Sequence, residues 1–241
     1  MARLIFITGA SSGIGQALAE RCHAEGWHLA LVARRADDLR AWAQARGWSA
    51  ERWRVYPADV ADIDSIVAAG QACLAQQGVP DVGVANAGIS VGMAATFQPF
   101  VAAMRQRGSG TLVGIASVAA IRGLPGHGAY CASKAGVVAY CESLRGELRG
   151  SGVRVVTLLP GYVDTPLTRK NRYPMPFLLS ADRFAQRALR AIEQGVSYRV
   201  IPWQMALVAK LLRVLPNAWF DRLLSGRPRK ARAGQGSATG S

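Results

Sequence analysis

A tyrosine and a lysine one helical turn apart are the residues of this chain best suited to acid/base chemistry. Tyr130 and Lys134 stand in "YCASK", and a spacing of four puts both on one face of a helix. A phenol ionises near pH 10 and is a poor base at neutral pH. A nearby ammonium favours the phenolate, which is the tuning that proton transfer in a reaction requires. Ser117 lies thirteen positions before Tyr130, at the end of an apolar run. Its hydroxyl can donate to, or accept from, a substrate oxygen. Taken alone, a Tyr and a Lys at this spacing also describe a plain surface pair on a helix.

A second group suits a phosphate. The apolar run "RLIFI" (3–7) leads straight into "TGASSGIG", Thr8 to Gly15, and then into a helical pattern. Gly9, Gly13 and Gly15 allow a tight turn and close approach to a pyrophosphate. The helix that follows offers free N–H groups and the positive end of its dipole. Ser11, Ser12 and Ile14 complete this candidate loop. The next strand ends in "VARRADD". A dinucleotide fold that prefers NAD usually places a carboxylate here, on the ribose 2′-OH. This chain has Arg34 and Arg35 instead, and a guanidinium fork suits a 2′-phosphate. The reading is NADP(H) in preference to NAD(H). Asp37 and Asp38 fit the first turn of the following helix better than a ribose site.

These residues need a frame, and the pattern supplies one. Strands are expected at 3–7, 28–33, 53–56, 82–86, 111–116, 153–159 and 198–201, and helices near 13–25, 36–46, 62–77, 94–107, 127–149 and 181–194. Strands alternating with helices indicate parallel βαβ units. Strands apolar throughout indicate a sheet covered on both faces. The fold class is therefore α/β, a doubly wound parallel sheet of Rossmann type in a three-layer α/β/α sandwich. Residues 1–225 read as one domain, and 226–241, basic and then Gly/Ser-rich, read as a disordered tail. Residues 203–224 mix apolar and basic positions around Pro216. They could cover the substrate site or touch a membrane surface, with packing on the body as the default.

Composition excludes several classes. No apolar run reaches the roughly 18 residues of a transmembrane helix, and the N-terminal apolar stretch ends in a Gly-rich turn rather than a cleavage site. Cys22, Cys73, Cys131 and Cys141 lack CxxC spacing, so they read as reduced thiols of a cytoplasmic protein. His23, His28 and His127 have no clustered partners, and no metal is expected. The net charge is +14, and only Lys134, Lys170, Lys210 and Lys230 are lysines. The arginines are spread along the chain without a nucleic-acid motif, so the charge reads as general basicity or attraction to an anionic cofactor.

In sum these motifs resemble the short-chain dehydrogenase/reductase family over nearly the whole chain. "TGASSGIG" (8–15), "DV" (59–60), "NAG" (86–88), Ser117, Tyr130-x-x-x-Lys134 and "PGYVDTP" (160–166) follow in family order. The resemblance implies that Asp59 and Val60 flank the adenine, and that Asn86, Ala87 and Gly88 line the cofactor. It implies that Lys134 also contacts the nicotinamide ribose, and that Pro160, Gly161, Val163 and Thr165 border the nicotinamide. Tyr130 would exchange the oxygen-bound proton while Ser117 holds that oxygen and hydride passes between nicotinamide and a carbonyl or alcohol carbon. A homodimer or homotetramer is also implied.

One stretch departs from the family. Between Gly88 and Ser117 the resemblance implies roughly twenty residues more than are present, although a parallel crossover needs only about a dozen. The missing piece would include the family's catalytic Asn, and no Asn lies between Asn86 and Asn171. Either the enzyme is damaged or repurposed, or another group takes that part. Pro99 is expected to kink the remaining helix or mark its first turns. Beyond Thr165, Met175, Phe177, Leu178 and Leu179 suggest an apolar substrate pocket, whereas Arg169, Lys170 and Arg172 suggest an anionic group. His127 reads as a helix-start residue. Two functions compete: an NADP(H)-dependent reductase or alcohol dehydrogenase, and a non-catalytic NADP(H)-binding protein.

Overall fold

The computed structural model describes residues 2–87, 90–171 and 174–225. Gly88, Arg172 and the tail 226–241 lie outside the described residues, as do the side chains of Ser90 and Val91. The strands are β1 (Leu4–Thr8), β2 (His28–Ala33), β3 (Trp53–Pro57), β4 (Val82–Ala85), β5 (Gly110–Ile115), β6 (Val153–Pro160), β7 (Val163–Asp164), β8 (Leu179–Ser180) and β9 (Tyr198–Ile201). The helices are α1 (Gly13–Ala24), α2 (Ala36–Ala45), α3 (Ile63–Gln77), α4 (Ser90–Arg107), α5 (Gly128–Glu147), α6 (Ala181–Glu193), α7 (Trp203–Val214) and α8 (Asn217–Leu224).

Seven strands form one parallel sheet in the order β3-β2-β1-β4-β5-β6-β9. β7 and β8 pair separately. The chain leaves β1 in one direction and returns to β4 on its other side, so strand order reverses between these two. Their carboxyl ends open the crevice where doubly wound sheets bind ligands.

The apolar strands separate two cores. Leu18, Leu31, Phe184 and Ile192 belong to the one that joins α1 and α6 to the sheet. Phe6, Phe97, Phe100 and Leu112 belong to the other, beneath α3, α4 and α5. Phe6 and Phe100 meet edge to face, with centroids 4.8 Å apart, and both are fully buried. Truncating Phe100 to Ala would remove about 3–5 kcal/mol of stability.

Two expectations need correcting. Helix α4 begins at Ser90 rather than 94, so Pro99 sits well inside it. The ring is accommodated by α3: a Cβ on Gly70 would stand 2.6 Å from Pro99 Cγ. Starting earlier, α4 also presses on the segment after β3, where a Cβ on Gly92 would meet the carbonyl oxygen of Val60 at 2.3 Å. The short crossover is thus closed by a helix that uses nearly all of it. Residues 203–224 form two helices that Pro216 separates by capping α8.

Candidate functional site

The glycine loop is fixed by protein contacts. Gly9 and Gly13 take positive φ, 67° and 57°, which a side chain would resist. Gly15 has another reason to be glycine: a Cβ there would lie 2.3 Å from Gly9 O and 2.7 Å from Asn86 Nδ2. Asn86 therefore fills the space beneath the loop. Its Nδ2 donates to Thr8 O at 3.0 Å and Gly9 O at 3.3 Å. Thr8 Oγ1 accepts from the main-chain N–H groups of Asn86 and Ala87, both at 3.1 Å, and donates to Val84 O. β1 and β4 are thus laced together across the crevice. The sequence reading passed over Thr8; its signal was a hydroxyl ending an otherwise apolar strand.

Above this brace stands the start of α1. Ser12 occupies its N-cap without a side-chain cap bond, and no acidic residue follows in the first turn. The leading N–H groups are left for an external acceptor. Gly13 also faces Thr165, whose Cγ2 would be 3.2 Å from an added Cβ. Ser11 is partly buried, Ser12 exposed, and Ile14 packs on the core beneath α1.

At the end of β2, Arg34 Nη1 lies 3.7 Å from Asp59 Oδ2, with both side chains largely exposed. Arg35 pairs instead with Asp38 in the first turn of α2 at 3.4 Å. Exposed pairs of this kind hold their partners weakly. Asp59 is itself organised: its Oδ1 accepts from Ala61 N, and its N–H donates to Ser65 Oγ. Val60 is only partly buried, with its carbonyl side covered by Gly92.

Ser117 follows β5 and begins the short turn Val118–Ala120, its Oγ accepting from Ala119 N at 3.2 Å. That bond uses an acceptor site and leaves the hydroxyl proton for another group. Helix α5 packs on this turn. It carries Tyr130 in its first turn and Lys134 one turn later. Lys134 Nζ donates to Ile115 O at 3.1 Å, at the carboxyl end of β5. Burial holds its ammonium below the ordinary lysine range. Tyr130 is 46% exposed, and its phenol has no hydrogen-bond partner among the described residues. His127 stands at the N-cap of α5, with Nδ1 3.2 Å from Pro125 O, as a helix-start residue.

The fourth segment closes the crevice. Gly161 N donates to Ile201 O, and a Cβ on Gly161 would meet Met205 Cγ at 2.7 Å. Pro160, Val163 and Thr165 are buried. Thr168 Oγ1 accepts from Thr165 N at 2.9 Å and donates to Val163 O at 2.6 Å, knitting the turn after β7. Beyond Thr165, Phe177 and Leu178 are exposed, but Leu179 is buried in the core. Its place in β8, paired with Val163, removes it from the expected pocket. Arg169 pairs with Asp164 at 2.7 Å, with both side chains exposed. That ion pair holds the Asp164 carboxyl below its usual range.

Arg122 is a residue that no sequence pattern announced. From the loop after Ser117 it donates to the carbonyl oxygens of Leu212 and Leu215, the latter at 2.6 Å. It also reaches Asn217 Oδ1 at 2.9 Å and lies over the Phe220 ring at 3.8 Å. It ties α7 and α8 to the loop beside the candidate site.

All four cysteines are buried free thiols. Among the described residues no cluster could hold a metal ion, and no helix is long and apolar enough to cross a membrane.

Comparison with known proteins agrees with this arrangement. The family profile described as short chain dehydrogenase matches residues 3–99 and 90–175. Residues 90–99 fall in both matches, so the family pattern does not run uninterrupted through α4. An uncharacterized oxidoreductase of Myxococcus xanthus is 37% identical over 243 positions, covering 91% of this chain and 95% of that protein. More positions are aligned than this chain contributes, so that relative carries residues missing here. D-threitol dehydrogenase of Mycolicibacterium smegmatis is 35% identical over 189 positions, covering 70% of this chain and 73% of its own. A short chain dehydrogenase from Burkholderia cenocepacia, solved in complex with NADP, shares the fold with a TM-score of 0.78 at 21% identity, over 93% of this chain and 98% of that one. With its parallel sheet, braced glycine loop and full-length relatives, this chain belongs to the short-chain dehydrogenase family of oxidoreductases.

Proposed function

We propose that this protein uses NADP(H) to interconvert a carbonyl and an alcohol on a small, partly apolar substrate, with Tyr130 as the acid/base. The observation that carries the reading is the anchoring of Lys134. Its ammonium is held at the end of β5, 3.1 Å from Ile115 O, two residues before Ser117 and one turn after Tyr130. The turn after β5 and the helix packed on it thereby offer a hydroxyl donor, a phenol and a partly buried cation.

The chain's residues fit a dinucleotide. Gly9, Gly13 and Gly15, braced by Asn86 and Ala87, present the uncapped start of α1 to a pyrophosphate. Arg34 and Arg35 supply guanidinium groups to a 2′-phosphate, while Asp59 and Val60 border the adenine side. Gly88 belongs to the same candidate set. Pro160, Gly161, Val163 and Thr165 bound the far end, and Lys134 reaches the ribose there. When bound, the nicotinamide supplies or accepts the hydride.

The protein's share is orientation and proton movement. Ser117 holds the substrate oxygen by donating its remaining proton. Tyr130 delivers a proton to that oxygen in reduction and removes it in oxidation. Lys134, one turn along the same helix and held by Ile115 O, sets the cation beside this part of the site. Tyr130→Phe keeps the ring and removes the proton. Turnover should fall by about 10²–10⁴-fold while NADPH affinity is unchanged; full activity in this variant refutes the assignment.

The second reading, a non-catalytic NADP(H)-binding protein, is favoured by the shortened stretch before Ser117, which holds no Asn. Titration with NADPH and NADH, followed by a panel of ketones and aldehydes, separates the two. NADPH-preferring binding with turnover supports the enzyme. Tight binding without turnover on any substrate supports the second reading.

A further inference from the structure

Helices at a protein surface normally turn their polar face to water. α7 turns apolar residues outward as well as inward. Met205 and Ala209 are buried against the body. On the outward side, at helical spacing, stand Trp203, Leu207, Leu211 and Val214, between 59% and 77% exposed. α8 repeats the pattern on one turn: Phe220 and Leu224 are buried, while Trp219 and Leu223 are exposed. Scattered exposed apolar residues are ordinary, but a continuous stripe on a helix that already packs by its other side indicates a second contact.

The charge around the stripe selects its occupant. Lys210 and Arg213 flank it on α7, and Arg222 stands on α8. Asp221 is the only carboxylate on the two helices. At the start of α7, Trp203 also lines an open pocket with Arg187, Arg190 and Arg199, and no carboxylate lines it. None of these six cations has an ion-pair partner among the described residues. The sequence then continues with Arg227, Arg229, Lys230 and Arg232. A second copy of this chain would bring like charges together around the stripe, whereas an anionic surface would neutralise them.

We infer that the outer face of α7, with the arginine pocket at its start, is a docking surface for an anionic phospholipid bilayer. The helix lies in the plane of the interface, with Leu207, Leu211 and Val214 among the upper acyl chains and Trp203 at headgroup depth. Arg187, Arg190 and Arg199 meet lipid phosphates. Arg122 fixes the helix pair to the loop beside Ser117, so docking would hold that side of the protein against the membrane. The inference does not depend on the proposed reaction.

The full-length protein would be floated with phosphatidylcholine vesicles, with and without phosphatidylglycerol, at low and high salt. Binding is expected only with phosphatidylglycerol and should weaken with salt. The double variant Leu207→Glu/Leu211→Glu changes exposed side chains and should leave the thermal midpoint and NADPH titration unchanged. It should weaken partitioning by about tenfold or more. The triple variant Arg187→Gln/Arg190→Gln/Arg199→Gln should weaken it by roughly ten- to hundredfold. Absence of binding to anionic vesicles at low salt overturns the inference. Equal binding by the Leu207→Glu/Leu211→Glu variant also overturns it, because adsorption then comes from overall charge or the basic tail. A dimer in light scattering that this variant dissolves, with no vesicle binding, would assign the face to a second copy and overturn it as well.

Discussion

The two ends of the crevice are built on different principles. At the glycine end, the loop after β1 is held from below by Asn86 and Thr8, and an added methyl at Gly9 or Gly15 would collide with protein atoms. At the proposed reacting end, Lys134 is anchored to β5, but Tyr130 is 46% exposed and its phenol has no hydrogen-bond partner among the described residues. The first end takes its shape from contacts within the protein itself. The second, on the proposed reading, leaves its acid/base group open to a substrate. Binding should accordingly be sensitive to packing, and turnover to single functional groups.

The largest effect on this contrast is expected at Gly15. Gly15→Val would drive a side chain into Gly9 O and Asn86 Nδ2, which are already joined to one another by a hydrogen bond. A loss of at least about 3 kcal/mol in denaturant unfolding is expected, at the upper end of overpacking costs, together with loss of NADPH binding. A stable variant that binds normally would show that the loop is looser than its contacts indicate. Asn86→Ala is milder. It removes two hydrogen bonds beneath the loop and should cost about 1–3 kcal/mol, with weaker cofactor affinity. Ser117→Ala offers the counterpart at the reacting end: turnover should drop while NADPH affinity stays. If Asn86→Ala lowered turnover alone, or Ser117→Ala lowered affinity alone, the division of labour would be reversed. Arg34→Ala should weaken NADPH far more than NADH; equal losses would remove the 2′-phosphate assignment.

The glycine end was also the more legible in sequence. A strand, a Gly-rich turn and a helix follow one another in the chain, so local order specifies local geometry. The seven strands of the main sheet were legible for a similar reason, being short apolar runs between helical patterns. What escaped were contacts between distant segments. Arg122 clamps helix ends about ninety positions later, and nothing in "IRGLPG" marks it. Leu179 looked like a pocket residue because its neighbours are apolar, but pairing with Val163 turned it into the core. The start of α4 is expected near 94 and lies at Ser90. Its packing on Val60 and Gly70 is again between distant segments. Lys134 was expected to serve the phenol, and its bond to Ile115 O is a choice among partners that only the fold can offer.

The burial of Lys134 makes a further prediction, in pH rather than in mutational cost. Burial holds the folded-state ionisation of Lys134 below its unfolded value of about 10.5. Between the two values the unfolded chain carries a proton that the folded chain has released. Stability contributed by this group therefore rises with pH across that interval, and the penalty for keeping the ammonium buried is fully present below it. Urea midpoints of the wild type and of Lys134→Met, measured from pH 7 upward, should show the wild type gaining relative to the variant as pH rises. Parallel curves would mean that the ammonium stays solvated.

The smallest effect is expected at the far end of α5 from Tyr130. Gly146 lies in the last turn of α5, is exposed, and would present a Cβ to open space. Gly146→Ala should stabilise the helix by up to about 1 kcal/mol, with NADPH affinity and turnover unchanged. The same one-methyl change is thus expected to stabilise α5 and to disrupt the glycine loop. A helix that served only as a rigid support for Tyr130 and Lys134 should accept that gain without changing the chemistry. Altered turnover would show instead that motion of α5 contributes to the reaction.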